Sequence, residues 1–171
     1  IRTGINTNFS KNINFNNDVK YASRNTSFSP SLGLEYTWLK LFELRPNYRV
    51  SFTNNSYDID AFEDRNFTVH NLNIGTSTFF PEKFEWRNDI NYTYNSNIAD
   101  GFQKSAWFWN SSLSYSVLKD KGLITLKVYD LLNQNTNATR IASQDYIEDR
   151  QSTVLTQYFM LNFSWKFNSL G

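Results

Sequence analysis

The stretch 155–167 alternates with period 2 over its whole length, and few folds accommodate such a pattern. Its odd positions carry Leu155, Gln157, Phe159, Leu161, Phe163, Trp165 and Phe167, and its even positions carry Thr156, Tyr158, Met160, Asn162, Ser164 and Lys166. A helix would repeat its apolar positions every ~3.6 residues, so this is a strand with one apolar face. Its length is the second constraint. Soluble strands usually run ~5–6 residues, whereas a tilted membrane-crossing strand needs ~9–11. The pattern therefore predicts a transmembrane strand.

The same alternation recurs seven more times. Phe28, Leu32, Leu34, Tyr36 and Trp38 alternate with Ser29, Ser31, Gly33, Glu35 and Thr37. Phe42, Leu44, Tyr48, Val50 and Phe52 alternate with Glu43, Arg45, Asn47, Arg49 and Ser51. Phe84, Trp86, Ile90, Tyr92 and Tyr94 alternate with Glu85, Arg87, Asp89, Asn91 and Thr93. Trp107, Trp109, Leu113, Tyr115 and Val117 alternate with Asn110, Ser112, Ser114 and Ser116. Leu72, Ile74 and Phe80 mark a strand near 67–80, Ile124, Leu126 and Val128 another near 122–132, and Ile5 and Phe9 a weaker one near 1–12. The expected fold is all-β: about eight antiparallel, up-and-down transmembrane strands forming a single barrel segment over 1–171.

Composition agrees only when read this way. Aromatics make up 18% of the chain and Gly numbers 6, Pro 3 and Cys 0, with a mean hydropathy of −0.56. No run approaches the ~20 apolar residues of a membrane helix. Barrel strands average out to mild polarity because half of each strand faces away from lipid. Without cysteine there is no disulfide framework or thiolate metal site. The net charge of +1 and the lack of a basic stripe give no sign of a nucleic-acid partner.

Connections alternate in length. Short ones are expected around Lys40, at Pro81-Glu82-Lys83 and at Lys119-Asp120-Lys121-Gly122, and long polar ones near 13–26, 55–66, 95–104 and 133–152. Barrels of this class have short periplasmic turns and long extracellular loops, so the first strand is expected to run outward and Gly171 to lie in the periplasm. Register is strongly specified. Slipping 42–52 by one residue would turn Glu43, Arg45 and Arg49 to lipid, and Arg at mid-membrane costs ~2–4 kcal/mol. Aromatics gather near the short turns (Trp38, Phe42, Phe80, Phe84, Trp86, Trp165 and Phe167) and near the long loops (Phe28, Phe52, Tyr92, Tyr94, Trp107 and Trp109), as two interface belts would require. A soluble sandwich would not collect its aromatics at strand ends.

The C-terminal residues also carry a likeness. Tyr129-Asp130-Leu131-Leu132-Asn133-Gln134-Asn135, then Arg140 and Tyr146-Ile147-Glu148-Asp149, and finally Tyr158-Phe159-Met160-Leu161 through Trp165-Lys166-Phe167-Asn168 resemble the final strands of TonB-dependent-receptor-like outer-membrane barrels of Bacteroidetes. The motif-level likeness covers about the last 50 residues; the first 120 share only strand pattern and Asn- and aromatic-rich style. The resemblance implies a bacterial outer-membrane location, a larger plugged barrel of which this chain is the C-terminal part, and import of a ligand. It further implies contact with the barrel assembly machinery, for which Trp165 and Phe167 are the matching signal residues, although the chain continues four residues beyond Phe167. Lipid and lipopolysaccharide, and other outer-membrane subunits, are the remaining expected partners. Ile1-Arg2-Thr3-Gly4 has neither the basic start nor the apolar core of an export signal, so a longer precursor is expected. Two other readings stay open: a complete eight-stranded structural or surface-binding barrel, and a barrel captured as client or subunit of an assembly or secretion complex.

No catalytic, cofactor or metal constellation stands out. Glu35, Glu43, Arg45, Arg49, Glu85, Arg87 and Asp89 form an expected lumen-facing charged wall, with Glu35 opposite Arg45 across a tight turn. Such a cross-strand pair is worth ~0.2–1 kcal/mol and is more often structural than a ligand site. Asp58, Asp60, Glu63 and Asp64 read as a solvated acidic loop, since the turn Gly and terminal Glu of a calcium loop are missing. His70, the sole histidine, has no partner set for zinc or a triad.

Overall fold

In a computed structural model of the chain, residues 1–80, 83–135, 137–142, 147–152 and 156–167 are described. Pro81, Glu82, Tyr146, Leu155, Asn168 and Gly171 lie outside them. The strands are β1 (Arg2–Asn16), β2 (Val19–Gly33), β3 (Tyr36–Trp38), β4 (Phe42–Tyr57), β5 (Arg65–Phe80), β6 (Phe84–Asn95), β7 (Ser105–Val117), β8 (Gly122–Tyr129), β9 (Asn137–Ala142), β10 (Ile147–Ser152) and β11 (Tyr158–Trp165). One antiparallel sheet runs β1-β2-β4-β5-β6-β7-β8-β11, with the short β3 paired to β4, and β9 and β10 form a separate hairpin. Main-sheet neighbours are sequential apart from two steps, β2 to β4 past β3 and β8 to β11 past the β9–β10 hairpin, which is the up-and-down order expected.

Register carries the predicted faces across the whole sheet. Phe28 opposes Phe52, Tyr48 opposes Leu72, Ile74 opposes Ile90, Tyr92 opposes Trp107, Leu113 opposes Leu126, and Leu126 opposes Leu161. The opposite face of β1 and β2 is built from small and polar residues, with Asn6 across from Ser29, Asn8 from Ser27 and Asn12 from Ser23. Among the described residues the large hydrophobics have no second layer above them: Phe159 is 65% and Leu161 73% exposed. An apolar surface this extended is unlike that of a water-soluble monomer and needs an apolar solvent. Aromatic contacts sit in both belts, Phe84 with Tyr115 at 4.4 Å on one side and Tyr92 with Trp107 at 4.7 Å on the other.

A polar island lies in the middle of the apolar face. Asn88 opposes Thr76 and Ser111, and is 6% exposed. Its amide donates to Thr76 Oγ1 (3.2 Å), its carbonyl accepts from Trp109 Nε1 (3.0 Å), and Trp86 Nε1 donates to Ser111 Oγ (2.9 Å). Within a bilayer each unmade bond of this kind would cost several kcal/mol, so the indoles and amides answer one another.

Several expectations need correction. The segment 13–26 is not a long loop: β1 and β2 continue to a two-residue turn at Asn17 and Asp18, whose φ values of 49° and 65° suit a type I′ hairpin. The strand expected over 28–38 breaks at Leu34 and Glu35 and resumes as β3. The strand near 122–132 stops at Tyr129, because Asp130 takes a φ of 50°. Part of the connection at 133–152 is itself the β9–β10 hairpin, and the final strand begins at Tyr158.

Candidate functional site

The polar face is where this sheet concentrates its charge. Since side chains alternate along a strand, Glu43, Arg45 and Arg49 on β4 share a face, and so do Glu85, Arg87 and Asp89 on β6. The register makes the two faces one: Arg45 opposes Gly75, which opposes Asp89, and Glu43 opposes Ser77, which opposes Arg87. Gly75 leaves bare backbone between Arg45 and Asp89, and a Cβ there would lie 3.9 Å from both Arg45 Nε and Asp89 Oδ1. Arg87 Nε donates to Glu85 Oε1 at 2.6 Å, and Arg45 comes within 3.9 Å of Glu43. Arg49, between Ser31 and Asn71, makes no ion pair among the described residues.

Glu35 behaves differently from its expected role. The register would set it against Arg45, but it bonds to Arg2 on β1 at 3.1 Å. Two causes are visible. Glu35 lies at the break between β2 and β3, and Arg45 leans toward Glu43 and across Gly75. At the short-turn end, a cavity of about 570 Å³ opens among Phe79, Glu85, Ser114, Leu123 and Ser164, with Lys83, Lys121 and Lys166 in its walls.

Near the long-loop end the acidic segment folds back onto the sheet. Asp58 accepts the Ala22 amide and lies 3.9 Å from Arg24, while Asp64 accepts the Tyr57 amide at 2.9 Å. Phe62 packs on Tyr21 at 5.2 Å and Tyr57 at 5.5 Å. Two of the four carboxylates are therefore occupied in holding a loop against the ends of β2 and β4. His70 faces the apolar side, where Nδ1 lies 2.6 Å from the Tyr48 hydroxyl and its ring meets Tyr94 edge-on at 5.5 Å.

Two structural roles were not apparent from residue types alone. Asp130, 1% exposed, accepts the amides of Gln134 (3.1 Å) and Asn135 (2.9 Å), while Asn133 Oδ1 accepts Gln157 N at 3.3 Å. The Asp-Leu-Leu-Asn run is thus a hydrogen-bonded knot that ties the end of β8 to the approach to β11. Trp165 opposes Gly122 and its ring lies 4.7 Å from Phe167, so the two matching signal residues form one aromatic unit at the end of the last strand.

Comparison with known proteins agrees with this geometry. A family model described as an outer membrane protein beta-barrel family matches residues 2–165. Searches of curated proteins and of solved structures found no significant match. The matched span runs from the first residue of β1 to the last of β11, so it takes in both the apolar face and the charged one. The chain therefore belongs to the outer membrane protein β-barrel family, and its place is the bacterial outer membrane.

Proposed function

We propose that the chain is the C-terminal wall of a larger barrel, a TonB-dependent receptor-type transporter that imports a ligand past a plug. The observation that carries this reading is the pair of open edges: β1 bonds only to β2, and β11 only to β8, among the described residues. A row of unpaired backbone N–H and C=O groups cannot remain in lipid, because each unmet group costs several kcal/mol there. Further strands between β11 and β1 would satisfy both rows. The charged wall favours the same reading. An eight-stranded barrel has an interior only wide enough for side chains to fill, whereas a wider one leaves room for a plug or a path. Arg45, Arg49, Arg87 and Lys127, with their acids, suit the wider case. The role is passage and binding, not catalysis.

One observation favours a complete small barrel instead: with an even number of strands β1 and β11 run antiparallel, as closure demands. Size separates the two. On a blot of native outer membranes probed against the 58–64 loop, the larger barrel runs far above the chain's 20.1 kDa. A band near that mass would support the small barrel and sink the transporter reading. Ligand uptake abolished by collapse of the proton-motive force would support the transport role itself.

A further inference from the structure

The first hairpin places like charges against each other on the apolar side of the sheet. Lys11 on β1 is the direct cross-strand partner of Arg24 on β2, and Lys20 opposes Phe15 four pairs closer to the turn, on the same face. Like charges directly opposite are destabilising unless something else compensates them. Among the described residues Lys11 and Lys20 make no ion pair, whereas Arg24 lies 3.9 Å from Asp58 Oδ2, the other oxygen of which accepts the Ala22 amide, so only Arg24 has a carboxylate beside it. The row follows directly after the pair of Phe9 and Thr26, in the direction of the turn. Exposed Ile13 and Phe15 lie between and beyond the cations, so the patch is both basic and apolar. Neither strand alone shows it; it exists only once the hairpin is paired.

We infer that this patch is a docking site for a phosphorylated glycolipid of the outer leaflet, with phosphates on Lys11, Arg24 and Lys20 and acyl chains along the apolar face below. Charge complementarity selects the headgroup, and continuity with the lipid-facing surface selects an amphiphile over a soluble anion. Each cation near an anionic headgroup strengthens binding about fivefold, so three account for about a hundredfold. The inference rests on the reading that the Asn17 turn faces the outside of the cell.

The test uses the full protein refolded in detergent, with bound lipid counted by native mass spectrometry. Diphosphoryl lipid A should be retained, and Lys11→Gln/Lys20→Gln/Arg24→Gln should weaken it about a hundredfold. Lipid A stripped of its phosphates should bind wild type as weakly, Lys11→Arg/Lys20→Arg should restore full binding, and inorganic phosphate should not compete. Unchanged binding by the neutralised variant, with its folded gel mobility intact, would overturn the proposal, as would equal binding of the stripped lipid. Orientation is read separately, by labelling Asn17→Cys in intact cells with an impermeant maleimide. Label from outside supports the outer-leaflet site, and label only after the outer membrane is opened rejects it whatever the lipid result.

Discussion

A buried carboxylate that accepts two backbone amides is difficult to replace. Asp130 does this at the end of β8, and Asn110 Oδ1 in turn accepts the Asp130 amide at 3.1 Å. Asp130→Ala leaves the Gln134 and Asn135 amides without acceptors, a loss of about 1–3 kcal/mol. The urea midpoint of the refolded protein should fall accordingly, whereas an unchanged midpoint would mean that water replaces the carboxylate freely. Gly122 makes a second residue-scale case. A Cβ there would stand 2.7 Å from Val117 Cγ2 and 3.3 Å from Leu118 Cδ1, so Gly122→Ala crowds the β7–β8 turn. The cost should be about 1–3 kcal/mol, visible as a lower melting temperature. Neither role could be read from composition. An aspartate after a strand reads as a turn residue, and only the folded loop shows which amides come to it.

Among the elements, the turns show where this chain is under strain. Leu39 and Lys40 connect β3 to β4 with φ values of 48° and 58°, in the left-handed region that costs an L-residue about 1–2 kcal/mol. Leu39→Asn with Lys40→Gly fits the preference of a type I′ turn and should stabilise the protein by about 1–2 kcal/mol, read as a raised urea midpoint. No gain would mean that the turn is not of this type. The β9–β10 hairpin carries a pH-dependent element. The Arg140 guanidinium bonds Asp149 at 2.7 and 2.9 Å and holds its carboxyl below the ordinary value of 3.8. A depressed folded value means the pair's contribution is complete above pH 3.8 and fades only as pH falls through the lowered one. Carboxyl NMR should put the Asp149 inflection below 3.8, and Arg140→Gln should return it to the ordinary range. An ordinary inflection in the wild type would contradict the pairing.

Legibility also varied by element. Strands with apolar residues at both ends of one face, such as β6 and β7, begin and end within a few residues of where the alternation places them, although Asn88 and Ser111 interrupt that face at its middle. Toward the long-loop ends both faces turn polar, as with Asn54 opposite Asn66, and period 2 disappears from view although the pairing continues. The first hairpin differs from the expected loop because Lys11, Lys20 and Arg24 interrupt its apolar face, even though Asn17 and Asp18 are suited to a two-residue turn. That the charged residues of β4 and β6 share one face follows from parity, but their pairings do not. Glu35 reaches across to β1, and strand neighbours separated by 33 positions leave no local trace.

At the scale of the molecule, a single rule organises the chain. One face is apolar and belted by aromatics, the other polar and charged, and the family match spans both. Lipid on the first face and water on the second follow from that division. The absence of cysteine makes the division directly measurable, since single cysteines can be placed without removing others. Spin labels at successive positions from 85 to 92 on β6, in reconstituted membranes, would report collision with oxygen dissolved in lipid and with a nickel chelate in water. The account predicts a period of 2: oxygen relaxes labels at Trp86, Asn88, Ile90 and Tyr92, and nickel relaxes those at Glu85, Arg87, Asp89 and Asn91. Accessibility to nickel at every position, or a period near 3.6, would contradict it.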